Sequence, residues 1–219
     1  MNLTEQKIRQ KAAQYAKVLL KRAHAHEPQI TKDLQKIASE VAAEMVGLEH
    51  KFKSEESLTR KIAENSIRNV RKLLELEYFL EEAIAETIET KARDINDYLR
   101  YTFVFSDENY VFGFKSSLQK LKQNNFTVPE NKIWNAWKNI GTLFDKGYRG
   151  INITIFSSQG QIFELQFHTE ASFKLKTETH FFYEELRIRK TARERKNEIV
   201  QKLLKVAQAV SVPKGVKKL

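Results

Sequence analysis

Ile151-Asn152-Ile153-Thr154-Ile155-Phe156-Ser157-Ser158-Gln159-Gly160-Gln161-Ile162-Phe163-Glu164-Leu165-Gln166-Phe167-His168-Thr169 reads as a β-hairpin. Two runs rich in β-branched and aromatic residues flank a short polar turn that carries a glycine. Successive side chains of a strand point to opposite faces, so Phe163, Leu165 and Phe167 form one apolar face of the second arm. Ile162, Glu164, Gln166 and His168 form the other. A carboxylate, an amide and an imidazole in a row mark that face either as the lining of a site or as an ordinary solvent-facing sheet surface.

Outward from the hairpin, Leu99, Tyr101, Phe103 and Phe105 alternate with Tyr98, Arg100, Thr102 and Val104, a second strand signature. The remainder is dominated by helical periodicity. Residues 3–48 predict two helices, with apolar Ile8, Ala12, Tyr15, Val18 and Leu19 in the first and Leu34, Ile37, Val41 and Met45 in the second. Glu27-Pro28 separates them, because proline disfavours helix in the residue before it, and Thr31 with Asp33 supplies a cap. Ser54, followed by Glu55 and Glu56, opens a helical stretch to about Ala92, long enough for two helices, with Asn65-Ser66 its weakest point. Its later part, with Leu73, Leu76, Leu80, Ile84 and Ile88, is amphipathic. Helix is also expected over 108–124 and 170–208, a short extended piece at Phe126–Val128, and a loose basic tail from Pro213-Lys214-Gly215. This order predicts an α+β fold, helices flanking a small mixed β-sheet. The expected divisions are an N-terminal helical region (1–48), a core (49–190) with a helical insertion at about 62–93, and a C-terminal helix with basic tail (191–219).

Composition narrows the class without deciding it. With 219 residues, 41% of them hydrophobic, the chain can bury a core as one unit. Thirty-eight Lys and Arg against 28 Asp and Glu leave a formal charge of +10, a field that attracts nucleotides, RNA or anionic lipid but also suits plain solubility. With no Cys there is no disulfide framework, thiol nucleophile or Cys-ligated zinc. Neither a signal peptide nor a membrane span is visible, and a toxin domain cut from a larger exported protein would look the same.

Three further elements bear on chemistry. Lys53, Ser57 and Lys61 are four apart near a helix start, where two ammonium groups, a hydroxyl and free backbone N–H groups suit a triphosphate; a solvated charged face would show the same spacing. Asp94 and Asp97 precede the strand at 98–105, where a carboxylate can hold Mg²⁺ with water and substrate oxygens or simply serve a turn. Gly147-Tyr148-Arg149-Gly150 sets an aromatic between glycines, either to let a loop approach and stack on a base or as a turn whose Tyr covers the core.

In order and residue type these elements together resemble the synthetase domain of the RelA/SpoT family of nucleotide pyrophosphokinases over roughly residues 49–187. The resemblance rests on Lys51 with Lys53, Ser57 and Lys61, on Asp97, on Gly147-Tyr148, and on Glu164-Leu165-Gln166-Phe167-His168-Thr169, similar to the family's E-x-Q-x-R/H-T strand. His180-Phe181-Phe182-Tyr183 is similar to its H-x-x-Y. The resemblance implies a nucleotidyltransferase-like synthetase fold that transfers the β,γ-pyrophosphate of ATP to a nucleotide 3′-hydroxyl, giving alarmones of the (p)ppGpp or (p)ppApp type and AMP. It implies that Lys51, Lys53, Ser57, Lys61 and Arg100 hold ATP, and that Asp97 and Glu164 ligate Mg²⁺, with Glu164 also acting as base. Tyr148, Arg149, Asn152, Gln166 and His168 then face the acceptor.

The chain departs from the family pattern at several points. Lys51 replaces the usual Arg, Thr102 stands where an adenine-clamping Arg is usual, with Arg100 as its substitute, and Arg149-Gly150 with Asn152 replaces the usual residues after the loop Tyr. The family's hydrolase motif is missing, and His24 and His26 read as surface or packing residues. These departures resemble divergent toxin members more than housekeeping stringent-response enzymes. They imply a cytoplasmic site of action and an immunity or antitoxin partner. A tRNA 3′ end is the alternative acceptor, and a noncatalytic RNA-binding protein of the same fold is the rival reading.

Overall fold

Five strands, β1 (Glu44–Val46), β2 (Arg100–Phe105), β3 (Ile133–Asn135), β4 (Ile151–Phe156) and β5 (Ile162–Thr169), form one sheet in the order β1-β2-β5-β4-β3. The chain also forms helices α1 (Leu3–Glu40), α2 (Glu55–Glu75), α3 (Leu80–Arg93), α4 (Tyr110–Gln123), α5 (Glu170–Arg187) and α6 (Arg193–Gln208). The structure is a computed structural model that describes residues 3–75, 80–138, 147–188 and 191–219. The α+β class is as the sequence predicts, and the sheet is mixed. The hairpin is β4 and β5, its turn closed by Ser157 N–H donating to Gln161 O at 2.9 Å and Gly160 N–H to Ser157 O at 2.8 Å. Gly160 has φ 73°, a conformation that side chains rarely adopt.

Two compact units interleave along the chain. The first comprises Met1–Lys32, Gly47–Arg100 and Phe156–Glu164. Its helices α2 and α3 bury Leu58, Ile62, Ala63, Ile67, Ile84 and Ile88. Ser54 caps α2 as expected, its Oγ accepting the Ser57 N–H at 3.2 Å. Helix α2 runs on through Asn65-Ser66, the expected weakest point of the stretch. Ser66 is buried inside α2 and donates to the Ile62 carbonyl at 2.8 Å, which satisfies the hydroxyl without breaking the helix. Leu76 of the expected amphipathic run lies outside the described residues.

A second correction concerns α1, which runs unbroken through Pro28 where two helices were expected. Proline removes one helical hydrogen bond. Buried Ala23 and Ile30 flank it, and Glu27 is tied to Thr31 Oγ and to Lys51, so tertiary contacts hold the turn that local propensity would open.

The second unit comprises Asp33–Val46, Tyr101–Ile155 and Leu165–Leu219. Met45, expected in helix, lies in β1 and pairs with Phe103 of β2 in antiparallel register. Strand β3, which the sequence does not announce, pairs antiparallel with β4, setting Trp134 opposite Asn152. The core is aromatic: Phe167 meets Phe114 edge-on at 4.9 Å and Phe103 at 5.9 Å. The Tyr110 hydroxyl donates to Phe167 O at 2.8 Å and accepts from Trp137 Nε1 at 3.0 Å. The expected helix over 170–208 is two helices, α5 and α6, which share a cluster of Leu186, Ile199, Val200 and Leu203 and a two-pronged Arg195–Glu185 pair at 2.7 and 3.0 Å. The tail is docked rather than loose, since Val216 is buried and its carbonyl accepts from Asn135 Nδ2 at 2.9 Å. Among the described residues no helix is long and apolar enough to cross a membrane.

Candidate functional site

Before α2 begins, residues 51–53 run antiparallel to residues 98–100. Arg100 N–H donates to Lys51 O at 2.8 Å, Lys53 N–H to Tyr98 O at 3.1 Å, and Phe52 bridges Leu99. Lys53 therefore precedes the helix rather than lying on its face, and a bridged backbone aims it at the segment opening β2. Its ammonium lies 3.1 Å from Asp97 Oδ2, while Lys61, from the second turn of α2, reaches Asp97 Oδ1 at 2.9 Å. Burial pushes the Asp97 carboxyl up, but the charges of Lys61 and Lys53 and their hydrogen bonds outweigh it, and the pKa falls from 3.8 to about 2. Burial lowers the Lys53 pKa, a tendency that Asp97 opposes and that Lys61 and Arg100 reinforce. A partly buried carboxylate is thus held ionised among cations.

Glu164 pairs through its backbone with the segment that follows Asp97. Its N–H donates to Leu99 O at 3.0 Å, which sets it one strand away and two residues along from Asp97. Ser57, at the third position of α2, is half-buried. Lys51 is engaged elsewhere, 2.8 Å from Glu27. Asp94 lines a polar cavity of about 350 Å³ with Glu64, Asn65, Asn69 and Lys91. His24 stacks tilted on Phe52 at 3.8 Å and His26 Nδ1 meets Gln159 Oε1 at 2.5 Å, so both histidines serve packing, as expected.

The donor set fits a magnesium ion. Asp97 offers hard, ionised oxygens, the chemistry Mg²⁺ takes. No cluster of three or more metal-ligating side chains exists among the described residues. Such an ion takes one or two protein carboxylates and fills the rest of its shell with substrate oxygens and water, so Asp97 would serve as one ligand.

The second unit carries a separate polar cluster. The Tyr148 hydroxyl lies 2.5 Å from Asn152 Oδ1 and 3.0 Å from His168 Nε2, and His168 Nδ1 lies 2.9 Å from Ser172 Oγ. His168 is completely buried; burial and then the nearby Lys176 charge hold its pKa well below the ordinary value, so the ring is neutral. Gln166 is buried too and accepts from Lys176 Nζ. The polar side of β5 beyond Glu164 is therefore neither a solvated surface nor an open lining. Thr169 caps α5 through a reciprocal capping box with Ser172, and the helix brings Ser172 to His168 and Lys176 to Gln166. Arg149 donates to the Tyr148 carbonyl at 2.9 Å. Gly150 admits the ring of His168, since a Cβ there would lie 2.9 Å from its Cε1.

Residues that sequence reading missed are Glu27, Trp134, Ser172 and Lys176. Trp134 stacks on Tyr148 with ring centres 5.3 Å apart and planes 19° apart. A three-residue strand is too short to show a period, so no signal marked it. Ser172 was findable, three residues after the Thr that closes a strand.

Solved structures of known proteins match this chain. One is the small alarmone synthetase 1 of Bacillus subtilis bound to its product pppGpp, at 16% identity and TM-score 0.40, covering 59% of this chain and 65% of that one. Another is a GTP pyrophosphokinase family protein of Streptococcus pneumoniae, at 17% identity and TM-score 0.39, covering 56% and 65%. A third is the complex between the Type VI effector Tas1 and its immunity protein, at 15% identity and TM-score 0.48, covering 96% of each chain. This chain spans about 65% of the length of the first two. No family model matches the sequence, and no curated protein sequence does.

Proposed function

We propose that this chain is an ATP-dependent pyrophosphokinase that moves the β,γ-pyrophosphate of ATP onto the 3′-hydroxyl of a guanosine or adenosine nucleotide and releases AMP. The observation that carries the reading is the ionised Asp97 carboxylate enclosed by Lys53 and Lys61, with Glu164 on the adjoining strand. A protein that only bound phosphate would gain nothing from carboxylates there, whereas phosphoryl chemistry needs both signs: cations for the phosphate oxygens and acids for a divalent ion.

In this reading Asp97 and Glu164 hold Mg²⁺, which when bound neutralises phosphate charge. Lys53 and Lys61 give up Asp97 for phosphate oxygens, Ser57 adds a hydroxyl, and Arg100 stacks on or pairs with the donor nucleotide. Glu164 accepts the proton of the acceptor 3′-hydroxyl. The freed oxygen bonds to the β-phosphorus as the bond from that phosphorus to the α,β-bridging oxygen breaks, and AMP leaves with the electron pair. The Tyr148 cluster of the second unit takes the acceptor nucleoside, with buried His168 and Gln166 positioning Tyr148 and Lys176.

Incubation with ATP labelled in its terminal phosphates and with GDP, GTP, ADP, ATP or tRNA tests the reading. Label is expected in a nucleotide acceptor, dependent on Mg²⁺ and lost in Glu164→Gln and Asp97→Asn while both variants remain folded. Wild-type transfer in both variants, or RNA binding that falls with salt but ignores Mg²⁺ and Glu164→Gln, would overturn it.

A further inference from the structure

The Tyr148 side chain is committed in two directions. Its hydroxyl is fixed by Asn152 at 2.5 Å and by His168 Nε2 at 3.0 Å. One face of its ring is covered by Trp134, nearly parallel at 19°. Trp134 itself sits on β3 directly opposite Asn152, so the residue that orients Tyr148 also pairs with the strand that presents the indole. Tyr148 is half-buried, whereas 37% of Trp134 remains exposed. An exposed indole on an edge strand is costly to leave bare and, stacked on an immobilised phenol, loses little side-chain freedom when a second ring lands on it. The other tryptophan, Trp137, is only 4% exposed and donates to the Tyr110 hydroxyl.

We infer that Trp134 is the residue that stacks on the acceptor base and sets a preference for purines over pyrimidines. The inference rests on the pyrophosphokinase reading and deepens it: the exposed indole meets the base and Tyr148 backs it from behind, which makes Trp134 the middle layer of a three-ring stack. A bicyclic base covers more of an indole than a monocyclic one does, so overlap alone discriminates between them. Hydrogen bonds to the base edge are not needed for this preference, which leaves guanine and adenine to be separated by other groups.

Trp134 emission provides a binding readout independent of turnover. Titration of the wild-type chain with GDP and ADP is expected to quench tryptophan fluorescence, with CDP and UDP markedly weaker, and the quench is expected to vanish in Trp134→Phe, where Trp137 is the remaining emitter. Base–aromatic stacking contributes roughly 1–3 kcal/mol per base, so Trp134→Ala is expected to raise the acceptor KM by about 5-fold or more while the ATP KM stays unchanged. Trp134→Phe keeps a ring and is expected to retain most of the affinity, which separates a stacking role from misfolding of the alanine variant. Unquenched wild-type fluorescence, equal response to purines and pyrimidines, or an unchanged acceptor KM in Trp134→Ala while transfer proceeds would overturn the inference and leave the enzymatic reading intact. Absence of label transfer in the wild type would sink that reading instead, and purine-selective quenching by Trp134 would then still establish the platform.

Discussion

The ammonium of Lys53 lies 3.1 Å from Asp97 Oδ2, with the two side chains only 13% and 14% exposed. Burial of the pair pushes the carboxyl up, but the charges and hydrogen bonds of Lys61 and Lys53 outweigh it, which is why Asp97 remains charged down to about pH 2. The folded pKa is depressed below 3.8, so its stabilisation is complete above that value and is lost as pH falls from 3.8 toward about 2. Urea unfolding of the wild type is expected to lose about 2 kcal/mol more across that window than Asp97→Asn does. Parallel acid profiles for the two proteins would contradict the pairing.

His168 titrates with the opposite chemistry but the same direction of stability. Folded, it stays neutral because it is buried and because Lys176 repels a second positive charge, whereas unfolded it takes a proton below its ordinary 6.5. Stability is therefore full above that value and declines below it, by up to about 1.4 kcal/mol per pH unit. Two measurements check this: His168→Gln flattens the unfolding profile just below pH 6.5, and the His168 ring signals in NMR hold still through that range.

Glu27 accepts from Lys51 at 2.8 Å, and the two side chains are 14% and 24% exposed. A double-mutant cycle with Glu27→Gln and Lys51→Met is expected to give a coupling of about 1 kcal/mol or more, above that of an exposed pair. A coupling near zero would mean that the contact contributes nothing to folding.

Gly150→Ala places a methyl 2.9 Å from both His168 Cε1 and the Phe167 carbonyl. The neighbour on one side is backbone and cannot yield, so a loss of about 1–3 kcal/mol is expected by chemical denaturation. The same variant is expected to weaken the acceptor more than ATP, since Tyr148 leans on His168; equal losses for both substrates would argue for a general defect.

The hairpin and β2 were legible because each strand repeats its signature over six or more residues, and Ser54 announced α2 through cap chemistry. Lys53, Lys61 and Asp97 were legible as residue types and as a family resemblance, but not as a cluster: nothing local says that Lys53 lies off the helix or that a backbone bridge aims it. The continuation of α1 through Pro28 and the burial of Gln166 and His168 escaped for the same reason, since distant side chains decided both. Short pieces such as β1 and β3 offered too few residues for any period to register.

Unbroken α1 also bears on how the chain can be dissected. Its middle turns carry Glu27, which holds Lys51, together with Arg22 and His26, which grip the β4–β5 turn at Gly160 O and Gln159. A fragment cut to begin at residue 49, where the family resemblance starts, would discard those grips while keeping every residue assigned to chemistry. Such a fragment is therefore expected to unfold at a lower urea concentration than the full chain, because Lys51 and the β4–β5 turn lose their partners.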